Sequence, residues 1–180
     1  MTLAQHAYPI VREFREAFRI NQVNPMTHRH LWDEESHEFY VADTQADIAD
    51  ALGDLVFIHC GSMLDTGNPP AHMADSHFWA YVEEQASVSG VDLKRAVEMI
   101  FESNMSKLVA VIEKVPTLKK YEEIDVYIDF RESAKSGLWV AVSRYDMQGT
   151  DGKFYPKDKV LKGTGFFEPK WTEDQSWILS

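Results

Sequence analysis

Apolar residues recur at helical spacing along the first two thirds of the chain. Val11, Phe14 and Phe18 fall on one face of a helix and predict an amphipathic first element, which Asn24-Pro25 interrupts. A second helix is predicted from about His30 to Val41, with Leu31, Trp32 and Phe39 as its apolar contacts. A third opens at Thr44, whose hydroxyl can cap the helix, while Asp47 three residues on completes a capping box. Ile48, Leu52, Leu55, Val56 and His59 share its inward face, and Gly67-Asn68-Pro69-Pro70 stops it. His77 to Ala86 carries Phe78, Tyr81 and Val82, and Ser89-Gly90 separates it from a helix predicted over about Asp92 to Glu113. There Leu93, Val97, Ile100 and Phe101 form the apolar stripe, and Pro116 marks the end.

The period then changes. Ile124, Val126, Ile128 and Phe130 alternate with Asp125, Tyr127 and Asp129, the pattern of a strand with one buried face. A turn at Ser136-Gly137 leads into Leu138-Trp139-Val140-Ala141-Val142, so a hairpin is predicted. The tail from Gly149 places Lys153, Lys157, Lys159, Lys162 and Lys170 among glycines and prolines. One hairpin cannot stand alone. The expected fold is therefore mainly α, with a helical domain over 1–118 and a C-terminal β-hairpin and basic tail over 119–180 packed on the same domain.

Composition narrows the function classes. The 180 residues hold 18 Lys and Arg against 29 Asp and Glu, a formal net charge of -11, so the field of the whole chain opposes nucleic acid as a partner. Cys60 is the only cysteine, which excludes an intramolecular disulfide and a cysteine-rich zinc site and suits a reducing compartment. The longest apolar runs, such as Leu55-Val56-Phe57-Ile58, fall far short of a membrane span, and Met1-Thr2-Leu3-Ala4 opens no signal peptide. No membrane partner and a cytoplasmic location are expected.

The acidic residues are not scattered. Glu34, Glu35 and Glu38 lie within one turn of each other on the second predicted helix, and Asp47, Asp50 and Asp54 recur at intervals of three and four on the third. A short connection near Asp43 makes the two helices antiparallel neighbours, which brings their carboxylate ridges face to face. Like charges at this spacing destabilise a helix, and a cation that gathers them offsets the repulsion; hard oxygen donors favour Mg²⁺ or Mn²⁺. The alternative is that the ridges are solvated faces of two surface helices.

Three segments in this order carry a resemblance: His30-Leu-Trp-Asp-Glu34-Glu35-Ser-His-Glu38, Asp50-Ala-Leu-Gly-Asp54-Leu-Val-Phe, and Ser103-Asn104-Met105-Ser106-Lys107. They resemble the motifs of the all-α nucleoside triphosphate pyrophosphohydrolases of the MazG type, a superfamily that includes phosphoribosyl-ATP pyrophosphohydrolase and dimeric dUTPase. The segment Lys159-Val-Leu-Lys162-Gly-Thr-Gly-Phe-Phe-Glu-Pro169 is similar to an ending common among phage-borne members, for which the cytoplasm is the host's. The resemblance implies a helical bundle that assembles as a homodimer or homotetramer and hydrolyses a nucleoside triphosphate to the monophosphate and pyrophosphate. It implies Glu34, Glu35, Glu38 and Asp54 as metal ligands, with Mg²⁺ as cofactor and Mn²⁺ as substitute, and one of the glutamates as general base. The family's second motif carries a glutamate where this chain has Ala51, and Asp50, one turn before Asp54, is the candidate replacement.

Asn104 and Lys107 offer an amide and a cation for phosphate or sugar, Trp32 and Trp79 offer aromatic faces for a base, and Lys159 and Lys162 offer charge from the tail. Each has a plain structural alternative: a helix end, core packing, or a solvated tail. Two large aromatics suit a purine such as that of dGTP or GTP. The segment Glu34-Glu-Ser-His37 holds one half of a di-iron motif without a second, His28 and His30 match no zinc pattern and are expected to be exposed, and no serine-nucleophile or Walker motif occurs. Two classes stay open: a nucleotide pyrophosphohydrolase, and a non-catalytic binder of nucleotide or protein with an impaired metal site, which Ala51 favours.

Overall fold

The computed structural model describes residues 1–70 and 73–179, and is mainly helical. The helices are α1 (Leu3–Ala17), α2 (Pro25–Val41), α3 (Gln45–Thr66), α4 (Asp75–Ser89), α5 (Leu93–Met105) and α6 (Lys114–Glu122). The strands are β1 (Leu108–Ala110), β2 (Ile128–Glu132), β3 (Leu138–Ser143), β4 (Met147–Gln148) and β5 (Phe154–Tyr155). Two compact units result, one of residues 1–15, 20–102 and 169–180, the other of residues 16–19 and 103–168. No helix among the described residues is long and apolar enough to cross a membrane.

The first unit is helical, and its core is built on Leu52, Leu55 and Val56 of α3, Phe78 and Val82 of α4, and Val97 and Ile100 of α5. The sequence signals at α3 hold in detail. Thr44 Oγ1 accepts from Asp47 N, Asp47 accepts from Thr44 N, and Gly67 ends the helix at φ 70. The start of α2 differs from expectation. Asn24-Pro25 does not merely break the chain; Asn24 caps α2 by accepting from Met26 N, and Pro25 occupies the first turn, where no intrahelical donor is required. The helix therefore begins five residues before His30 and takes in His28.

That extension buries His28, against the expectation of an exposed loop histidine. Its Nε2–H donates to Asp65 Oδ2 at 2.7 Å, and Asp65 also receives the Arg15 guanidinium and, at 3.1 Å, the Val23 N–H. Gln22 Nε2 bonds the Asp65 carbonyl at 2.9 Å, so one residue at the end of α3 fixes the α1–α2 loop and the start of α2 together.

In the second unit, β3 is central in an antiparallel sheet of order β1-β3-β2, with Val140 opposite Leu108 and Ala141 opposite Phe130. Tyr121 of α6 and Val109, Val126, Ile128, Ala141, Tyr155 and Leu161 form its core. The predicted β2–β3 hairpin is present, but its first strand is shorter than the alternation suggested. Ile124 and Val126 lie in the turn after α6, where Asp125 has φ 58 and Val126 N bonds Tyr121 O at 2.9 Å.

The long helix expected to reach Glu113 also stops early, at Met105. Ser106 N and Lys107 N turn back to Ser103 O and Asn104 O, and Ser106 Oγ donates to Ser103 O at 2.6 Å, which closes the helix end. Leu108 and Val109 then pair with β3, a long-range contact that outweighs their local helical period. Pro116 lies in the first turn of α6, so it marks a helix start.

Asp65→Ala leaves the buried Arg15 charge and His28 without their shared acceptor. The expected loss is about 3 kcal/mol, the scale for one partner removed from a buried ion pair. Urea unfolding followed by helical circular dichroism measures it, and a loss below about 1 kcal/mol would reduce the network to a solvent-screened contact.

Candidate functional site

A hairpin of helices α2 and α3, joined by only three residues, positions the acidic ridges. His28 at the start of α2 meets Asp65 at the end of α3, while Glu35 in the middle of α2 feels the charges of Asp50 and Asp54, so the two helices run antiparallel. Glu35 is the centre of the group. Burial first, then the negative charges of Asp54, Glu38, Asp50 and Glu34, push its carboxyl up to about 8. Its Oε2 is buried and has no hydrogen-bond partner among the described residues. Glu34 and Glu38 are exposed, and Asp50 and Asp54 are half-buried.

The structure thus brings five of the sequence candidates, Glu34, Glu35, Glu38, Asp50 and Asp54, into one electrostatic group. Asp47 is outside it, engaged in the α3 cap, and Asp33 pairs with Arg29 at 3.1 Å. Ala51 is buried, so that position carries a methyl in packed surroundings, while the neighbouring Asp50 keeps partial exposure. Asp50 has a partner that its sequence position did not announce: Trp171 Nε1–H donates to Asp50 Oδ1 at 3.2 Å.

These are hard oxygen donors, and an orphaned oxygen at the centre of a like-charged group fits a divalent cation. As the side chains stand, no three His, Cys, Asp or Glu residues among those described converge closely enough to hold a metal ion. Mutual repulsion works against such convergence in the absence of a cation.

Both aromatic candidates meet at Phe78. Trp32 is buried, with its ring edge-on to Phe78 at 5.5 Å, and Trp79 lies edge-on to the same ring at 5.0 Å. Trp79 Nε1–H donates to Asp75 Oδ1 at 3.0 Å, an oxygen that also takes the His59 Nε2–H at 2.7 Å. His59 is fully buried and stacks on Phe78 at 3.8 Å. With Nε2 donating, Nδ1 of the neutral ring carries no proton, and it lies buried without a partner among the described residues. Burial pushes the imidazole below its ordinary value, although Asp75 opposes the shift. Cys60 is buried as well, and its thiol is pushed up mainly by burial, which leaves it a packing residue.

The remaining candidates belong to the second unit. Lys107 bonds Asn104 Oδ1, and its Nζ lies 5.9 Å from the centre of the Phe166 ring. Lys162 lies 4.4 Å from the same ring and pairs with Glu168 at 2.7 Å. Two of the lysines thereby approach one aromatic ring. Lys159 is exposed, and its N–H donates to Ser143 Oγ at 3.0 Å. Sequence reasoning missed the roles of Phe166 and Trp171; Phe166 is one of an adjacent pair with Phe167 and Trp171 stands in a polar tail, and only the ring's place in the fold distinguishes either from a packing residue.

No protein-family model, curated protein or solved structure matches this chain.

His59 gives a pH prediction with a definite sign. Its folded pKa lies below the unfolded value near 6.5, so its contribution is fully present above about pH 6.5. It is lost as pH falls below that value towards the folded one, because only the unfolded chain takes up the proton. The charged group that acts on this ring is Asp75, which also acts on Tyr8 and Cys60. Thermal unfolding at pH 7.5 and pH 5.5 should show a larger acid-induced drop for the wild type than for His59→Gln, and equal drops would contradict the assignment.

Proposed function

We propose that the protein is a divalent-cation-dependent nucleoside triphosphate pyrophosphohydrolase of the all-α type. The observation that supports this most is the buried, unpartnered Glu35 oxygen surrounded by Glu34, Glu38, Asp50 and Asp54 on an antiparallel helix pair. A carboxylate group of this density would repel a triphosphate on its own, so a nucleotide substrate requires cations between the two. Mg²⁺, or Mn²⁺ in its place, supplies neutralisation of phosphate oxygens and a more acidic water when bound.

In this reading Glu34, Glu35, Glu38, Asp50 and Asp54 hold the cations, with Asp50 in the duty that Ala51 cannot perform. One of the three glutamates accepts a proton from the attacking water. Water adds across the phosphoanhydride bond between the α- and β-phosphates, its oxygen ending on one product and the displaced anhydride oxygen on the other, giving nucleoside monophosphate and pyrophosphate. Lys107 and Lys162, gathered on Phe166, and Lys159 have the charge for phosphate contact, and Asn104 an amide for phosphate or sugar. Trp32 and Trp79 have the ring area for a purine such as that of dGTP, though both already contact Phe78. Assembly as a homodimer or homotetramer belongs to the same reading.

A second reading, a non-catalytic nucleotide-sensing or protein-binding member with an impaired metal site, is favoured by one observation: a buried alanine at position 51.

Pyrophosphate release with Mg²⁺ across purine and pyrimidine ribo- and deoxynucleoside triphosphates separates the two. The expected result is turnover of at least one nucleotide that chelation abolishes. Glu38→Gln keeps shape while deleting charge, so turnover should fall at least about tenfold with the helical fold intact or more heat-stable. Absence of cation-dependent turnover on every nucleotide would leave the binder, and near-normal turnover in Glu38→Gln would make the ridge a solvated surface.

A further inference from the structure

The C-terminal segment returns to the helical unit and is pinned there independently of Asp50. Trp177 is buried, its Nε1–H donates to the Trp171 carbonyl at 2.9 Å, and its own carbonyl accepts from Asp92 N at 2.6 Å. Leu179 N donates to Gly90 O at 2.8 Å, and Arg95 meets Asp174 at 2.7 Å. The Trp171 and Trp177 rings pack edge to face at 5.4 Å. The Trp171 backbone and ring are therefore held by contacts that leave its single polar group, Nε1–H, to be directed, and it is directed at Asp50 Oδ1.

We infer that Trp171 is a positioning residue for Asp50, so that the C-terminal segment is part of the candidate metal centre. The inference rests on the cation-dependent reading above. An indole donor suits this task, since it has no acceptor capacity, cannot compete for a cation, and offers one N–H to one carboxylate oxygen. Oδ2 of the same carboxylate then has a defined orientation. Hydrogen bonds of this kind from neighbouring groups orient ligating carboxylates in metal sites generally. Asp needs such help more than Glu does, because its side chain is shorter by one methylene and reaches a cation only from a restricted set of orientations. A tryptophan from the tail would thus offset the absence of glutamate at position 51.

The test uses the full chain with the cation alone. Mn²⁺ binding, read from the signal of free Mn²⁺ in electron paramagnetic resonance, should be about 10- to 100-fold weaker in Trp171→Phe than in the wild type. In an Asp50→Ala background, Trp171→Phe should add nothing, because the carboxylate that the indole orients is already gone. The indole N–H signal that disappears in Trp171→Phe should shift when Mg²⁺ is added to the ¹⁵N-labelled wild type, a response that a purely structural tryptophan would not give. Should Trp171→Phe fail to fold, Asp50→Asn identifies the same signal by moving it. Wild-type Mn²⁺ binding that Trp171→Phe leaves unchanged, or an indole signal indifferent to Mg²⁺, overturns the inference and leaves the hydrolase reading standing. Absence of Mn²⁺ binding by the wild type overturns both.

Discussion

Antiparallel packing of α2 on α3 places like charges where free chains would keep them apart. The three-residue connection, the Thr44–Asp47 capping box at one end and the Asp65 clamp on His28 and Arg15 at the other hold the pair in register. Because both ends are tied, Glu35 cannot move away from Asp50 and Asp54 without breaking contacts that bury apolar side chains. The burial of Leu52, Leu55 and Val56 on the same helix as Asp50 and Asp54 keeps the carboxylates where repulsion alone would not. A fold that tolerates this cost at one place concentrates strain there, as functional sites commonly do.

Carboxylates of the helical unit differ in how they are satisfied. Asp65 has cationic and amide partners, and the Asp75 carboxylate meets the His59 and Trp79 donors, so both are ordinary structural networks. The charges that raise Glu35 are those of Asp54, Glu38, Asp50 and Glu34, and one of its oxygens has no hydrogen-bond donor among the described residues. That contrast within one unit is the reason for seeking chemistry at Glu35 and packing at His59 and Asp65. The stacking of neutral His59 on Phe78 makes the same point from the other side, since a charged imidazole would be costly at so buried a position.

The tail joins this picture through donors. Trp177 anchors the segment by burial and by two hydrogen bonds, and Trp171, held beside it, directs its one donor to Asp50. In the second unit, Lys107 and Lys162 come to the same Phe166 ring from segments far apart in the chain.

Short-range physics was legible in the chain by itself. The α3 cap, the glycine end at Gly67, the inward faces of α3 and α4, the β2–β3 hairpin and the buried Cys60 follow from hydrogen bonds and periodicities that span a few residues. The acidic ridges were visible in the same way, and so was their approach, because a three-residue connection leaves consecutive helices little choice. Asn24-Pro25 was ambiguous, since the same pair ends one element and caps the next. The strand at Leu108–Ala110 and the burial of His28 were decided by partners far along the chain, β3 and Asp65, which no local window contains. The Trp171–Asp50 bond spans 121 positions. A single donor in a polar tail carries no mark of its acceptor until the fold returns it there, so the composition of the acidic group belonged to the sequence and the positioning of its members to the tertiary structure.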